Sequence, residues 1–310
     1  MFQTKKIAIL MATYNGEKFL SEQIESILRQ TCTDWELFIH DDGSTDQTAK
    51  LIGRYALQYP EKIKLVHGLP CGGSRDNFFF LLRQVSAPYY MFCDQDDIWL
   101  EEKVEYFRTE MYNTEKTASA QAPILVFSDL TVTDDSLRII CDRLSVYQKL
   151  DPDKTSINDL LLQNVVTGCA MMINDACARK MCDVADTDDI IMHDWWGALV
   201  ASYFGAVSYI DLPLVLYRQH GGNSVGAKRI GSLRYIIGKL AAQKEICESL
   251  QLTRAQAAVF AQTFSLPNDS LPSLYSRIGE ERKLQRILFY RRNHMKKSGA
   301  LRNIGMLIWG

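Results

Sequence analysis

The chain has 310 residues, 47% hydrophobic and 23% charged, enough for one large or two modest folded domains. A net charge of −2 supplies no global field for nucleic acid. The eight cysteines include no C-x-x-C pair and no regular spacing, which argues against zinc, dithiol redox chemistry and a disulfide scaffold, and for a reducing cytoplasm.

Behind the basic start, Met1–Lys6, the apolar run Ile7–Met11 is too short for a signal-peptide core, and no apolar run is long enough to span a membrane. Ile7–Met11 reads instead as a buried strand. Leu20, Ile24, Ile27 and Leu28 follow at helical spacing, and Leu37–Ile39 is the next strand core. Ser44-Thr45-Asp46-Gln47 has capping-box spacing and predicts a helix opening there and running towards Gln58. A strand at Ile63–Val66, a helix through Phe78–Leu82 and a strand at Tyr89–Cys93 complete the alternation. Strands alternating with helices imply βαβ units and a mainly parallel sheet, whose strand ends share one ligand-binding edge.

The pattern loosens after Thr114. A polar linker, Thr117–Pro123, precedes a strand at Ile124–Phe127, with short strands expected at Val132 and Thr167–Ile173. A helix starts near Asp194, and strands follow near Val207–Ile210 and Leu214–Tyr217. From Ser232 the reading is mostly helical, broken at Leu266-Pro267-Asn268. There is no internal repeat and no low-complexity tract.

Three strand ends carry polar residues in series: Ala12-Thr13-Tyr14-Asn15-Gly16-Glu17, Asp41-Asp42-Gly43-Ser44-Thr45-Asp46 and Asp94-Gln95-Asp96-Asp97. Taken singly, Asn-Gly and Asp-Gly are turn signals and Ser44 a helix cap. Three such ends on one edge exceed that explanation, and their chemistry fits a nucleoside-diphosphate sugar. Asp41 can accept the ring N–H of uracil or thymine, and the Thr13–Asn15 turn can clasp base and ribose. Asp94 and Asp96, wedged between apolar segments, suit a hard divalent cation that also takes phosphate oxygens and acts as a Lewis acid on the leaving diphosphate. Asp96 is expected to be the main ligand, with Asp94 on ribose or metal-bound water. Gly72-Gly73-Ser74-Arg75-Asp76-Asn77 opens a helix whose amides can face phosphate or ribose.

In this order the three segments resemble the signatures of family 2 glycosyltransferases with the GT-A fold, over roughly residues 5 to 225. Cys93-Asp94-Gln95-Asp96-Asp97-Ile98-Trp99, His193-Asp194-Trp195-Trp196 and Tyr217-Arg218-Gln219-His220-Gly221 are similar, more narrowly, to bacterial rhamnosyltransferases of streptococcal-type cell-wall and capsular rhamnose polysaccharides. The resemblance implies a Rossmann-like α/β sheet flanked by helices, inversion at the anomeric carbon and a Mg²⁺ or Mn²⁺ ion. It implies dTDP-rhamnose as donor and a lipid-linked glycan as acceptor, with a UDP-sugar donor as the alternative. A nucleotide-binding set of Thr13, Tyr14, Asn15, Glu17, Asp41, Asp42, Arg75, Asn77 and Asp94 follows from it.

By the same resemblance Asp194 is the base that takes the acceptor hydroxyl proton, although a carboxylate at a helix start is also a common N-terminal stabiliser. The position before it, Glu or Asp in the usual family form, is His193 here. His193, Trp195, Trp196 and Arg218 fall to the acceptor or pocket, Arg218 either neutralising diphosphate or pairing with an acid. His220 completes the metal shell beside Asp96, or is a loop or core histidine. The implied organisation is a catalytic domain over residues 1–228, with a nucleotide-binding half 1–115 and an acceptor half 116–228, then a helical region 229–310.

Two other functions are weighed. A sugar-phosphate nucleotidyltransferase needs a Gly-rich basic loop after the first strand, where Ala12–Lys18 holds one glycine. A non-catalytic carbohydrate-binding protein has no use for the full acidic series and a base. From Arg282 to Gly310 there are eight Lys or Arg and no Asp or Glu, with Leu284, Ile287 and Leu288 as an apolar stripe and Met306-Leu307-Ile308-Trp309 as an apolar end. This reads either as a basic amphipathic element on an anionic membrane at the inner face of the cell, or as a helical subdomain packed on the core or on a second subunit.

Overall fold

The computed structural model describes residues 2–119, 121–221 and 243–309. The expected boundary at 228/229 and the start of the helical stretch at Ser232 lie outside the described residues. Eleven strands are described: β1 (Phe2–Gln3), β2 (Ile7–Thr13), β3 (Trp35–Asp41), β4 (Ile63–Leu65), β5 (Val85–Ser86), β6 (Tyr89–Cys93), β7 (Ile98–Trp99), β8 (Ile124–Thr133), β9 (Ile139–Cys141), β10 (Met171–Asn174) and β11 (Ala206–Arg218). The main sheet runs β4-β3-β2-β6-β10-β8-β11-β7, with β9 beside β8, and β1 pairs β5 separately.

The first four strands of that order are parallel, as the alternating pattern predicts. Beyond β6 the sheet is mixed: β10 is antiparallel to both β6 and β8, and β7 to β11, while β8 and β11 are parallel. The two separate strands expected around Ile210 and Leu214 are one, β11, with register shifts on either side of Pro213. Every residue of β2 and β8 is buried, because helices cover both sheet faces. Alternation then assigns Ala8, Leu10 and Ala12 to one apolar cluster and Ile7, Ile9 and Met11 to the other.

One connection curls the sheet. β6 and β7 are four strand spacings apart in sheet order, roughly 19 Å if the sheet were flat. The chain from Cys93 to Ile98 reaches at most about 17 Å fully extended. The far edge must therefore bend back towards β6, and the turn that ties it, Asp94–Asp97, is the acidic one.

The helix expected from Ser44 starts later, at Thr48, with Gln47 as its N-cap residue and no capping box. Ser44 turns back on its own strand end, donating to Asp41 Oδ1 at 2.6 Å. Its place at the helix start is filled by Asp46, which accepts from the Thr48 amide, and by Glu17, which accepts from the Gln47 amide.

The C-terminal helices Gln243–Thr263, Leu271–Arg277, Lys283–Arg292 and Ala300–Trp309 flank the expected break after Leu266. Leu250, Ala257, Phe260, Tyr275 and Tyr290 are buried in the same cluster as Leu125, Phe127 and Trp196. Phe260 meets Trp196 edge-on at 5.4 Å and Tyr203 at 5.6 Å. No helix among the described residues is long and apolar enough to cross a membrane.

Phe260→Ala should cost about 3–5 kcal/mol, the usual cost of deleting a buried phenylalanine. Denaturant unfolding is expected to stay a single transition at a lower midpoint, because the C-terminal helices share the core of the sheet. A second transition, or an unmoved midpoint, would contradict that shared core.

Candidate active site

Parallel register sets Thr13 against Asp41 and Met11 against Cys93, so the three strand ends meet at one edge. The loops beyond them are stitched together mainly through side-chain to backbone bonds. Gln95 accepts from the Tyr14 amide and donates to the Tyr14 carbonyl, at 2.9 and 2.8 Å. The Asn15 amide donates to Ser44 Oγ, while Asn15 Oδ1 accepts from the Thr45 amide. The amides of Gly16 and Glu17 donate to Thr48 Oγ1 and Asp46 Oδ2. Asn15 itself sits at φ 48, a left-handed conformation that asparagine tolerates better than most residues.

This stitching assigns many of the candidate nucleotide residues a first duty inside the protein. Asp41 accepts from Thr13 Oγ1 and from the hydroxyl and amide of Ser44. Asp42 is buried and accepts from the amides of Cys71, Gly72 and Gly73. The two glycine amides read in the sequence as phosphate donors are therefore taken by a carboxylate. The Arg75 guanidinium pairs with Asp76 and reaches the carbonyls of Asp188 and Ile190. Asn77 is 1% exposed and bonds the His40 ring at 2.8 Å. Arg75 and Asn77 thus act on the loop walls, whereas Tyr14 is 55% exposed.

At the end of β6, the Asp94 carboxylate accepts no hydrogen bond from the described residues, while its carbonyl accepts from Cys93 Sγ. Burial, then the charges of Asp97, Asp96 and Asp194, push its carboxyl well above the usual range. Asp194, a hundred positions on in the chain, therefore belongs to the same electrostatic cluster. Asp96 Oδ2 lies 2.7 Å from His220 Nε2. Asp97 is fully buried, accepts from the Arg218 amide at 3.1 Å, and is pushed up to about 7 by burial and then Asp96.

The antiparallel pairing of β7 with β11 brings Arg218 to this turn. Its guanidinium donates to the carbonyls of Asp96 and Asp135, pairs with Glu22 at 2.5 Å and lies over the Phe19 ring. At 2% exposure it is a strut of the acidic turn. Of the two roles the sequence left open, the structure supports pairing with an acid.

The site's chemistry suits a divalent cation. Asp96 and His220 present an oxygen and a nitrogen at a separation close to the ~3 Å between adjacent ligands of an octahedral ion. Asp94, Asp97 and Cys169 also bring donor atoms within 4.8 Å of one another. Burial pushes the Cys169 thiol well up, so it stays protonated and is a poor partner for a hard ion. The open oxygens of Asp94 and the Asp96–His220 pair fit Mg²⁺ or Mn²⁺ better.

Asp194 opens the His193–Phe204 helix. Its carboxylate accepts from the Gly168 amide at 3.0 Å, from Asn164 Nδ2 at 3.2 Å and from the Trp195 amide. Burial raises it to about 6, against these bonds, which lower it. It is thus a fixed carboxylate whose basicity exceeds that of a free one.

The residues beside it are corrected by the structure. His193 is 2% exposed, lies between Phe78 and Phe92 at 4.2 and 5.0 Å, and has no hydrogen-bond partner for either ring nitrogen among the described residues. Burial holds it neutral, down to about 3, so it packs in the core beneath Asp194 and does not line an open pocket. Trp196 is fully buried against Phe260. Trp195 is half-buried and donates to the Leu160 carbonyl at 2.6 Å, fixing the segment that carries Asn164.

Two residues had no role in the sequence reading. Gln95 was visible inside the acidic motif, but its bridge to Tyr14 depends on the parallel register. Lys103 stands at the start of the helix Lys103–Thr117. It is fully buried, donates to the Cys169 carbonyl at 2.5 Å and lies 3.3 Å from the Trp99 ring centroid. Burial lowers it to about 7, opposed by nearby groups that include Asp97 and Asp94. It buttresses the Gly168–Ala170 turn, whose first amide holds Asp194.

The family model for glycosyl transferase family 2 matches residues 8–179. The dTDP-rhamnosyl transferase RfbG of Shigella flexneri is 30% identical over 238 residues, 72% of this chain and 79% of the relative. The UDP-Glc:alpha-D-GlcNAc-diphosphoundecaprenol beta-1,3-glucosyltransferase WfgD of Escherichia coli is 27% identical, over 54% of this chain and 60% of its own length. Among solved structures, S. aureus TarS 1-349 in complex with UDP-GlcNAc superposes with a TM-score of 0.55 at 16% identity, covering 93% of this chain and 79% of the other. That likeness establishes the fold. Asp194, Arg218 and His220 lie beyond the matched family segment and rest on the geometry above.

Lys103→Met should leave the Cys169 carbonyl unpaired in the interior and cost about 1–3 kcal/mol. The expected observation is a lowered midpoint in denaturant with native circular dichroism. An unchanged midpoint would show that the buried ammonium does not support the turn.

Proposed function

This chain belongs to glycosyl transferase family 2 and has the GT-A fold, and we propose that it transfers L-rhamnose from dTDP-rhamnose, with inversion, onto a lipid-linked cell-wall or capsular glycan. The observation that carries the reading is the meeting of a basic, backbone-fixed carboxylate, Asp194, with the Asp94–Asp96 turn in one electrostatic cluster. A nucleotidyltransferase has no need of a base on that side. The 30% identity to a dTDP-rhamnosyl transferase supports the donor. A UDP-sugar is the second reading, favoured by the donors named in WfgD and in the TarS complex.

In this reading the Thr13–Glu17 loop and Asp41 receive the nucleotide, Tyr14 offering an exposed ring and Asp41 an acceptor for the base N–H. Asp42, Asn15 and Glu17 keep the loops in place for it, and Arg75 and Asn77 hold the wall. Asp94 faces ribose or a metal-bound water. Asp96, with His220, would hold a Mg²⁺ or Mn²⁺ ion, which when bound neutralises charge on the departing diphosphate. Asp194 takes the proton of the acceptor hydroxyl as that oxygen bonds to C1. The bond from C1 to the diphosphate oxygen breaks, and its electron pair leaves with the nucleoside diphosphate. This reading puts the work in the cytoplasm, at the inner face of the membrane, where a lipid-linked acceptor is within reach.

The donor is tested by measuring nucleoside diphosphate released from dTDP-rhamnose, UDP-glucose and UDP-GlcNAc, with divalent metal and with chelator. Metal-dependent turnover of dTDP-rhamnose above the others is expected. Turnover of a UDP-sugar alone selects the second reading, and pyrophosphate release or no turnover of any donor overturns both.

Asp194→Asn should keep donor affinity and lower kcat by about 10²–10⁴, the usual loss for a general base. Because the base acts as a carboxylate and burial raises it to about 6, wild-type activity should fall as pH drops through about 6. The variant should lose the contribution of Asp194 to that limb and keep only what Asp94 and Asp97, also raised by burial, contribute. Lost donor affinity with normal turnover would move Asp194 to the donor site and the base elsewhere.

Asp96→Asn should retain the fold and lose metal-dependent transfer. Full activity of this variant in chelator would remove Asp96 from the metal site.

A further inference from the structure

We infer that the last two helices and the segment beneath them form a docking surface for an anionic lipid bilayer. The inference deepens the reading of a lipid-linked acceptor and rests on it for its purpose, while its evidence is independent.

Of the eight Lys or Arg between Arg282 and Gly310, a stretch with no Asp or Glu, five lie in the helices Lys283–Arg292 and Ala300–Trp309, Arg282 precedes the first, and Lys296 and Lys297 lie between the two. Each helix places part of its apolar surface on the protein, through Tyr290 and Met306 at 2% exposure. Each also leaves large apolar residues in water. Leu284 and Leu288, four apart, are 72% and 57% exposed. Leu301, Ile304 and Ile308, at i, i+3 and i+7, are 56%, 51% and 46% exposed. These spacings put the exposed residues of each helix on one side of it. Leaving them in water is unfavourable unless a partner covers them.

The helices are fixed to the acceptor half of the chain. Arg302 donates to the carbonyls of Gln148 and Lys149, and Asn158 Nδ2 to the carbonyl of Asn293. Gln163 accepts from the Ser298 amide at 2.7 Å. The next residue, Asn164, holds Asp194. One short segment thus carries the C-terminal helices and a support of the base. Arg302 also places the last helix on the short helix Leu144–Gln148, which adds Val146 at 64% exposure.

Charge selects the occupant. A symmetric contact with a second copy would set this cationic patch against itself, which like-charge repulsion opposes. An anionic bilayer supplies both complements, phosphate headgroups for the cations and acyl chains for the exposed leucines and isoleucines.

The test uses the full chain without donor or acceptor, so a different sugar specificity leaves its result intact. Cosedimentation is measured with phosphatidylcholine vesicles, with and without phosphatidylglycerol, at low and high salt. Wild type should bind only the anionic vesicles and be released by salt. Arg291→Glu/Arg292→Glu/Lys296→Glu should weaken binding about a hundredfold or more, since each basic residue near such a surface contributes roughly tenfold or somewhat less. Leu284→Ser/Leu288→Ser/Ile304→Ser, at exposed positions, should weaken it while donor hydrolysis stays unchanged. Absence of wild-type binding, or equal binding by all three proteins, overturns the proposal. So does a wild-type dimer in light scattering that the Leu/Ile→Ser variant dissolves, which would make a second copy the occupant.

Discussion

Four carboxylates, those of Asp94, Asp96, Asp97 and Asp194, are gathered at one edge of a sheet against their mutual repulsion, and the surrounding structure offsets that cost. Arg218, at the end of β11, spans the turn, giving its amide to Asp97 and its guanidinium to the Asp96 carbonyl. The Gly168 amide and Asn164 Nδ2 hold Asp194, and Lys103 lies buried behind the turn that carries Gly168. What these groups leave without a hydrogen bond among the described residues is the Asp94 carboxylate and Asp97 Oδ2, beside the Asp96–His220 pair. A cationic cofactor and an anionic diphosphate complete the balance, which is why the same crowding that destabilises an empty site favours a loaded one.

The loops around this cluster are preorganised by polar side chains that bind neighbouring backbone. Gln95 ties the acidic turn to Tyr14, and Asn15, Glu17, Asp46 and Thr48 tie the first loop to the second. Loops held this way sacrifice little ordering entropy when a ligand arrives. The polar residues of a motif are thus divided between those that hold the site and those that face the ligand. Asp42 belongs to the first group through three backbone amides, while the exposed ring of Tyr14 is left available for the second.

Local periodicity and strand-end polarity were enough to read β2, β3 and β6 and the helices around Leu20–Leu28 and Phe78–Leu82, because each is decided by contacts near in sequence. The reading failed where partners are distant. Ser44 looked like a helix cap, yet it bonds Asp41 on its own strand end and is held there by the amide of Asn15, 29 positions away on the neighbouring one. His193 and Trp196 looked like pocket residues beside the base, but the helix that presents Asp194 turns them into the core. The burial of Arg218 depends on Glu22, 196 positions away, and that of Lys103 on Cys169, 66 away. No window of sequence reports such pairs. The mixed half of the sheet was equally hidden, since β11 continues past Pro213 only by shifting register against β8.

The account turns on a single displacement in which Asp194 deprotonates the acceptor as its oxygen reaches C1. The most direct measurement is the anomeric configuration of the glycosidic bond formed from a donor of known configuration, read by NMR on the product. The account predicts inversion. Retention would require a second nucleophile at the anomeric carbon and would contradict Asp194 as the one base of a one-step transfer.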